Sequence, residues 1–217
     1  MGHSGDERMN WMDMTQRDFL AALASSSPTP GGGTVAAVAL GQASALSIMV
    51  ADLTLNNEKW SDGWSIAERV QTAAIPLMRV SGDLAQQDSE AFDQVMDAFK
   101  LPKNNETEVA ARRTAIRAAT LHAAEIPFET AQKAADLLRL LPELALKGNG
   151  NAASDVGVAG LLASAAAKGA LFNVDINLGS LPDDMGTSMR DQLDGIREQV
   201  RTDGRQVMDA VRERLGA

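Results

Sequence analysis

The sequence contains no cysteine and no tyrosine, and only two of its 217 residues, His3 and His122, are histidine. A chain without cysteine forms no disulfide, offers no thiolate nucleophile and builds no cysteine-ligated zinc site. Two imidazoles are too few for a histidine-rich metal site, and His122 lies among alanines, where a structural or exposed position is expected. We therefore expect neither a Ser-His-Asp triad nor a histidine-ligated metal.

Aromatic residues are also scarce, at 4% of the sequence, whereas alanine is plentiful. A core built from Ala, Leu, Val and Met favours closely packed helices over a β-sandwich. The formal charge is −9, and nucleic acids or anionic membranes would need a basic surface. We expect neither partner. The opening residues lack the apolar core of a signal peptide, so a cytoplasmic location is expected.

Apolar residues recur at helical spacing along most of the chain, and no alternating run is long enough to predict a sheet. We predict a polar tail over residues 1–14 and one all-α bundle domain over residues 15–217. Pro76 is expected to kink a long helix, and Pro127 is expected to separate two helices. The predicted helices cover residues 15–25, 34–55, 65–99, 106–125, 128–146, 155–173 and 187 to the end.

Two of the predicted helices are dominated by small residues. Such residues at three- and four-residue spacing let helix backbones approach closely, which predicts a tight central pair. The first helix is apolar enough to suggest a membrane span, but the run of residues 35–51 is short for that purpose and contains Gln42. We interpret it as a buried helix. The small residues are Ala37, Gly41 and Ala45 in one helix, and Gly157, Gly160, Ser164 and Ala167 in the other.

The stretch TPGGGT, residues 29–34, precedes the first of these helices. It is not a Walker loop, because the spacing is wrong and no lysine follows, and no strand precedes it as in a dinucleotide-binding motif. Consecutive glycines before a helix can expose backbone N–H groups to a ligand at the positive end of the helix dipole. They can equally form a tight turn between two helices. Both interpretations remain open from the motif alone.

Three charged residues are candidates for chemistry or binding. Asp88 falls on an apolar helical stripe with Leu84 and Phe92, and an inward carboxylate is either an acid or base of a site or a structural partner of a neighbouring helix end. Arg112 lies at the edge of another stripe, where it either binds a ligand carboxylate or remains a surface side chain. Lys103 follows a helix end, which alone indicates little.

The stretch NGNAASD, residues 149–155, stands at the start of the second small-residue helix, and two further asparagines stand at its other end. Asn, Ser and Asp are common turn and cap formers. Amides at both ends of a closely packed helix also suggest polar groups that line a cleft. The residues in question are Asn149, Asn151, Ser154, Asp155, Asn173 and Asn177.

Six motifs in order resemble the cyclodeaminase/cyclohydrolase family of folate one-carbon enzymes. They are PTPGGGTVAA from residue 28, DSEAF from residue 88, LPK from residue 101, ARRTAI from residue 111, NAASDVGVAGLLASAA from residue 151 and GALFNVDINLGSL from residue 169. One departure is Thr34, where the family often has serine, and both residues carry a hydroxyl. The resemblance covers residues 15–183 and implies an all-helical homodimer.

The resemblance also implies a tetrahydrofolate substrate with a one-carbon unit between N5 and N10, and it implies no metal. Asp88 is the first candidate for acid–base catalysis, Asp155 the second, and Lys103 is expected to position the pterin, polarise water or donate a proton. Arg112 and the glycine N–H groups are expected to bind the glutamate tail. The full set of expected binding residues is Pro30, Gly31, Gly32, Gly33, Thr34, Arg112, Asn151, Ser154, Asn173 and Asn177.

Two reactions are compatible with this resemblance. One is hydrolysis of 5,10-methenyltetrahydrofolate to the 10-formyl form, which we favour, although a stand-alone chain is compatible with either reaction. The other is cyclisation of 5-formiminotetrahydrofolate with release of ammonia. A third hypothesis, of a different class, is a helical dimer that binds folate without turnover or that is purely structural.

Overall fold

The computed structural model describes residues 10–216, and within them it contains helices and no strand. The first nine residues of the predicted tail, His3 among them, lie outside the described residues. The all-α prediction is confirmed. The helices are α1 (Gln16–Leu23), α2 (Gly32–Leu55), α3 (Trp64–Lys100), α4 (Glu106–Lys147), α5 (Ala153–Gly179) and α6 (Thr187–Leu215), with short 3-10 turns at Trp11–Asp13, Glu58–Gly63 and Gly150–Ala152.

The predicted helix break at Pro127 is wrong, because α4 continues through both Pro127 and Pro142. A proline removes one backbone hydrogen bond and crowds the preceding turn, which usually interrupts a helix. Here Ile126, Pro127 and Phe128 are all buried, so tertiary packing holds the two halves in line. Helix α5 also extends six residues past the expected end at residue 173, because Val174 and Leu178 are buried in the core.

The two small-residue helices, α2 and α5, form an antiparallel pair at the centre of the bundle. At one end a Cβ added to Gly169 of α5 would lie 3.6 Å from the Ala36 side chain of α2. At the other end the backbone N–H of Asn149, just before α5, donates to the Thr54 hydroxyl at 2.9 Å. The start of α2 therefore lies beside the end of α5, which places the glycine turn beside Asn173 and Asn177.

The closest approaches, however, are made to the outer helices rather than between the central two. A Cβ on Gly41 of α2 would lie 2.6 Å from the Ser81 hydroxyl of α3. A Cβ on Gly160 of α5 would lie 2.6 Å from Val207 of α6. The small residues therefore bring α3 and α6 against the central pair, a role that the sequence pattern did not assign to them.

Two described segments, Gly32–Leu55 and Gly150–Gly179, are long and apolar enough to cross a membrane by length and composition. In the fold, 56% and 50% of their most apolar windows are buried inside the chain. Core helices of soluble proteins pass the same length and composition test. The burial fits the interpretation of α2 as a buried helix.

Candidate active site

A cleft of about 250 Å³ opens where the turn before α2 meets the middle of α3 and the C-terminal half of α5. One part of its wall is polar, with the glycine turn, one carboxylate and two carboxamides. Another part is apolar and comes from α3, α4 and α5. The described lining residues are Pro28, Thr29, Gly31, Gly32, Gly33, Asp88, Phe92, Val95, Ala123, Asn173, Ile176 and Asn177.

The glycine turn brings the start of α2 against the carboxylate of Asp88. The Thr29–Pro30 peptide bond is cis, and Pro30 is buried behind the turn. Gly33 lies so close to α3 that an added Cβ would be 2.6 Å from Asp88 Cγ and closer still to Oδ1. Glycine is therefore required here for close approach rather than for an unusual backbone angle.

Asp88 is hydrogen-bonded to the first turn of α2. The Thr34 hydroxyl donates to Asp88 Oδ2 at 3.0 Å, and the Thr34 backbone N–H contributes a second hydrogen bond. Burial raises the pKa of Asp88, and both hydrogen bonds from Thr34 oppose that shift. The carboxylate thus accepts hydrogen bonds at a helix N-terminus, as the structural interpretation expects, and it also faces the cleft. Its role as an acid or base stays a prediction.

The two asparagines near the end of α5 complete the polar wall. Asn177 Nδ2 donates to the carbonyl oxygen of Ala123 in α4 at 2.8 Å, which joins two helices at the cleft. Asn173 Nδ2 donates to the carbonyl oxygen of Gly169 one turn earlier at 3.0 Å. These contacts hold both carboxamides in place beside the glycine turn.

Asn151, Ser154 and Asp155 lie at the opposite end of α5 from the cleft. Asp155 precedes Asn173 by eighteen residues, which corresponds to about 27 Å along a helix. Asn149 accepts a hydrogen bond from the backbone N–H of Asn151 and caps the 3-10 turn. Within one chain, the amides at the two ends of α5 therefore do not share a cleft.

Lys103 and Arg112 also lie outside the lining of this cleft. Arg112 donates from Nε and Nη2 to the carbonyl oxygen of Phe99, at 3.2 and 3.0 Å, and so caps the end of α3. Its guanidinium carbon also lies 5.4 Å from the centre of the Phe99 ring. Lys103 lines a separate cavity of about 450 Å³ with Arg113 at the start of α4.

Two residues that sequence reasoning did not select contact the Asp88 network. Ser89 lies 3.1 Å from the Thr34 hydroxyl, oxygen to oxygen, and Trp11 Nε1 donates to the Ser89 hydroxyl at 2.9 Å. Ser89 was visible within the motif DSEAF, directly after the candidate carboxylate. Trp11 carried no signal, because it lies in a segment that reads as a polar tail.

Between residues 10 and 216 no group of three or more His, Cys, Asp or Glu side chains is placed to hold a metal ion. The chemistry available in the cleft is that of one carboxylate, two carboxamides, the hydroxyl behind the carboxylate and the backbone of the glycine turn. Such groups can move a proton and orient a polar ligand. Together with the fold, they define an all-helical enzyme that acts on a small polar molecule.

Comparison with known proteins identifies the family. The model of the formiminotransferase-cyclodeaminase family matches residues 15–194. A methenyltetrahydrofolate cyclohydrolase from Methylorubrum extorquens is 34% identical over 202 residues, which are 93% of this chain and 97% of the relative. The chain belongs to the formiminotransferase-cyclodeaminase family, as the six motifs indicated.

Two further relatives, a rat protein and a bacterial one of known structure, differ in how much of their length this chain matches. The rat formimidoyltransferase-cyclodeaminase is 29% identical over 97% of this chain, and the chain spans 39% of that protein's length. The crystal structure of a formiminotetrahydrofolate cyclodeaminase from Thermotoga maritima matches with a TM-score of 0.76 and 30% identity, and it covers 94% of this chain and 97% of the other. The helical fold described above is therefore the fold of a cyclodeaminase.

Proposed function

We propose that the protein hydrolyses 5,10-methenyltetrahydrofolate to 10-formyltetrahydrofolate. The observation that carries this proposal is the placement of Asp88 in a cleft between the glycine turn and two asparagines. The bacterial cyclohydrolase supports this branch of the family, because the match extends over nearly the full length of both chains. The substrate is a tetrahydrofolate derivative, the reaction requires no metal, and the location is the cytoplasm.

The reaction needs one group that accepts a proton and later returns it. Water attacks the cationic methenyl carbon, and Asp88 removes a proton as the new C–O bond forms. The bond from that carbon to N5 then breaks as N5 takes a proton from the Asp88 carboxyl, and the new hydroxyl group loses its proton to solvent as its oxygen becomes that of the N10-formyl group. One water is consumed and one proton is released. The raised pKa of Asp88 suits a group that holds a proton between these two steps.

The other cleft groups orient the substrate. The carboxamides of Asn173 and Asn177 match the donors and acceptors of a pterin ring, and Phe92 and Ile176 supply apolar surface for it. The backbone of Gly32 and Gly33 lies at the start of α2, where the helix dipole favours a negative group, and the Asp88 carboxylate lies at that position.

Cyclodeamination is the second candidate, because the solved structure with the same fold is named a formiminotetrahydrofolate cyclodeaminase. In that reaction N10 attacks the formimino carbon, and the departing amine must be protonated to leave as ammonia. In this candidate reaction the protonated Asp88 carboxyl supplies that proton. The same cleft therefore serves either reaction.

Two assays on the purified full chain test these candidates. With methenyltetrahydrofolate, we expect loss of the substrate absorbance at a rate proportional to enzyme concentration. With 5-formiminotetrahydrofolate, ammonia release without the first activity would transfer the assignment to cyclodeamination. Folate binding without turnover in either assay would contradict both and favour the non-catalytic dimer.

We also propose that the protein is a homodimer formed through α5. The outer face of α5 carries an apolar stripe in which Phe172 and Ile176 are 67% and 71% exposed. Val158 and Leu161 continue the stripe toward the start of the helix, and the small residue Ala165 is exposed at its centre. An exposed apolar stripe of this length marks an interface, and a stripe with a small central residue suits a second copy of itself.

The symmetry of such a pair would bring three of the remaining predicted site residues to the cleft. In a two-fold pair, residue i of one copy meets residue j of the other and the reverse. An antiparallel crossing at Ala165 opposes Val158 to Phe172 and Ser154 to Ile176. Since Ile176 lines the cleft, Asn151, Ser154 and Asp155 of one subunit would reach the cleft of the other.

Mixing two inactive variants tests this arrangement. If Asp155 acts across the interface, Asp88→Asn and Asp155→Asn subunits unfolded and refolded together should recover about a quarter of wild-type activity, since half the dimers are mixed and each has one intact site. Light scattering should show dimers for the wild type and monomers for Phe172→Glu. A monomeric wild type, or mixed dimers without recovery, would contradict the arrangement.

A further inference from the structure

A line of hydrogen bonds joins the N-terminal segment to the carboxylate of Asp88. Trp11 Nε1 donates to Ser89 Oγ at 2.9 Å, Ser89 Oγ lies 3.1 Å from Thr34 Oγ1, and Thr34 Oγ1 donates to Asp88 Oδ2 at 3.0 Å. Ser89 is only 3% exposed, so its hydroxyl has no bulk water as an alternative partner. The mechanism above uses the last member of this line and leaves Trp11 and Ser89 unexplained.

With the Thr34 hydroxyl donating to Asp88 Oδ2, the chemistry of the other groups sets the direction of the remaining hydrogen bonds in the line. An indole N–H is a donor only, so Ser89 must accept from Trp11. The single hydroxyl hydrogen of Thr34 is used on Asp88, so Ser89 donates its own hydrogen to Thr34. All three donors therefore point toward Asp88, and the line is satisfied when Oδ2 carries no proton. The other oxygen, Oδ1, takes no part in this line.

The N-terminal segment is held where this role requires it. Asn10 Nδ2 donates to the carbonyl oxygen of Gly82 in α3 at 3.2 Å, and a Cβ on Gly82 would lie 3.1 Å from Met12 Cγ. The Trp11 ring lies edge to face with Phe19 of α1, at 6.4 Å between ring centres. The segment thus packs along α3 on both sides of the indole.

We propose that Trp11 and Ser89 are positioning residues that hold Asp88 Oδ2 unprotonated and reserve Oδ1 for proton transfer. Neither residue lines the cleft, so each acts through Thr34 rather than on the substrate. The inference rests on the proposed role of Asp88 as the proton-transfer group. Within one chain, Asp88 is the one titratable side chain among the described residues that line the cleft. The proposed dimer brings Asp155 to the same cleft, so the acid limb of a pH–rate profile is assigned to Asp88 by direct titration of its carboxyl.

The test uses Trp11→Phe, which keeps an aromatic ring and removes the N–H donor. Loss of one hydrogen bond in the line should weaken stabilisation of the charged carboxylate and move the acid limb of kcat/KM to higher pH by about half a unit. We expect kcat near neutral pH to fall about fivefold, with KM nearly unchanged. Ser89→Ala should act in the same direction, and Ser89→Thr, which keeps the hydroxyl, should restore most of the loss.

Trp64→Phe is the matched control, because Trp64 Nε1 likewise donates one hydrogen bond, but to the Thr54 carbonyl oxygen at the far end of α2, at 3.1 Å. It should lower thermal stability about as much as Trp11→Phe and leave the pH profile unchanged. The double variant Trp11→Phe/Ser89→Ala should lose no more activity than Ser89→Ala alone. Equal acid limbs in the wild type and Trp11→Phe, or additive losses in the double variant, would overturn the proposal.

A direct titration separates this inference from the proposed function. The pKa of Asp88 can be followed by NMR of the labelled side-chain carboxyl, without any substrate. If the wild type turns over neither folate but the Asp88 pKa still rises in Trp11→Phe, the proposed function fails and the positioning role stands. If turnover is confirmed and the Asp88 pKa does not change, the positioning role fails alone.

Discussion

Replacing Asp88 with asparagine should lower turnover by about 10²–10⁴-fold, the range for loss of a general acid–base group, without unfolding the protein. The carboxamide oxygen can still accept hydrogen bonds from the Thr34 hydroxyl and N–H, so the start of α2 keeps its partner. The carboxamide has no proton to exchange with water or N5. Turnover under saturating substrate and the melting temperature are the two measurements.

The same variant should be at least as stable as the wild type at neutral pH. Burial raises the pKa of Asp88 above its ordinary value of 3.8, so between those two values the folded protein holds more protons than the unfolded chain. Stability therefore falls as pH rises through that window, and at neutral pH the buried charge is destabilising. Asparagine removes this cost, and the gain should disappear below the unfolded pKa.

Asp83→Asn is the matched control, since Asp83 is half-exposed on the same helix and pairs with Arg79 at 3.5 Å. It should leave turnover unchanged and alter the melting temperature little. Near wild-type turnover in Asp88→Asn would remove Asp88 from the mechanism. An unfolded Asp88→Asn would show instead that α2 needs the negative charge at its N-terminus.

Gly33→Ala should have the second large effect, on both activity and stability. The added methyl would lie 2.6 Å from Asp88 Cγ, and the short aspartate side chain cannot move aside without losing its hydrogen bonds to Thr34. Either the carboxylate or the start of α2 must shift. We expect a loss of about 1–3 kcal/mol in the free energy of unfolding and, because a displacement of this size disturbs the reacting groups, about a 10²-fold loss in turnover.

Alanine variants at two other glycines are the controls for Gly33→Ala. A Cβ on Gly32 would lie 3.9 Å from Asn173 Nδ2, an ordinary contact, so Gly32→Ala should fold as stably as the wild type. A Cβ on Gly195 of α6 meets nothing within 4 Å, and Gly195→Ala should gain about 0.5–1 kcal/mol in a helix interior with activity unchanged. A Gly33→Ala protein as stable as Gly32→Ala and as active as Gly195→Ala would contradict the close approach of the turn to Asp88.

The helical class of the fold was predictable because local periodicity alone indicates it. The residues at which the helices begin and end were less predictable. Pro127 reads as a break, and only the burial of its neighbours on both sides explains why α4 continues. The spacing of Gly41 and Gly160 correctly predicted close packing, but the identity of the partner helix depends on rotation about the helix axis relative to all neighbours, which periodicity does not determine.

The candidate site was predictable where a local sequence pattern identifies its residues. Three consecutive glycines, an inward carboxylate at Asp88 and asparagines near the end of α5 all meet in the cleft. The position of Asp155 relative to the cleft was not predictable. The two ends of a long helix are far apart, and the sequence does not show which end of α5 meets the glycine turn. Trp11 was missed because its partner lies 78 residues away.

The hydrogen bond from Trp11 also means that tryptophan fluorescence can report on the Asp88 network. With no tyrosine and three tryptophans in the chain, its ultraviolet emission comes from indoles alone. The cations of Lys59 and Arg214 lie 4.7 and 4.9 Å from the centre of the Trp60 ring, and Trp64 is hydrogen-bonded to the far end of α2. A variant with phenylalanine in place of both Trp60 and Trp64 would leave Trp11 as the single fluorescent indole. Two hydroxyl groups separate Trp11 from the Asp88 carboxylate, so its emission would report ionisation of Asp88 and binding of a ligand in the cleft.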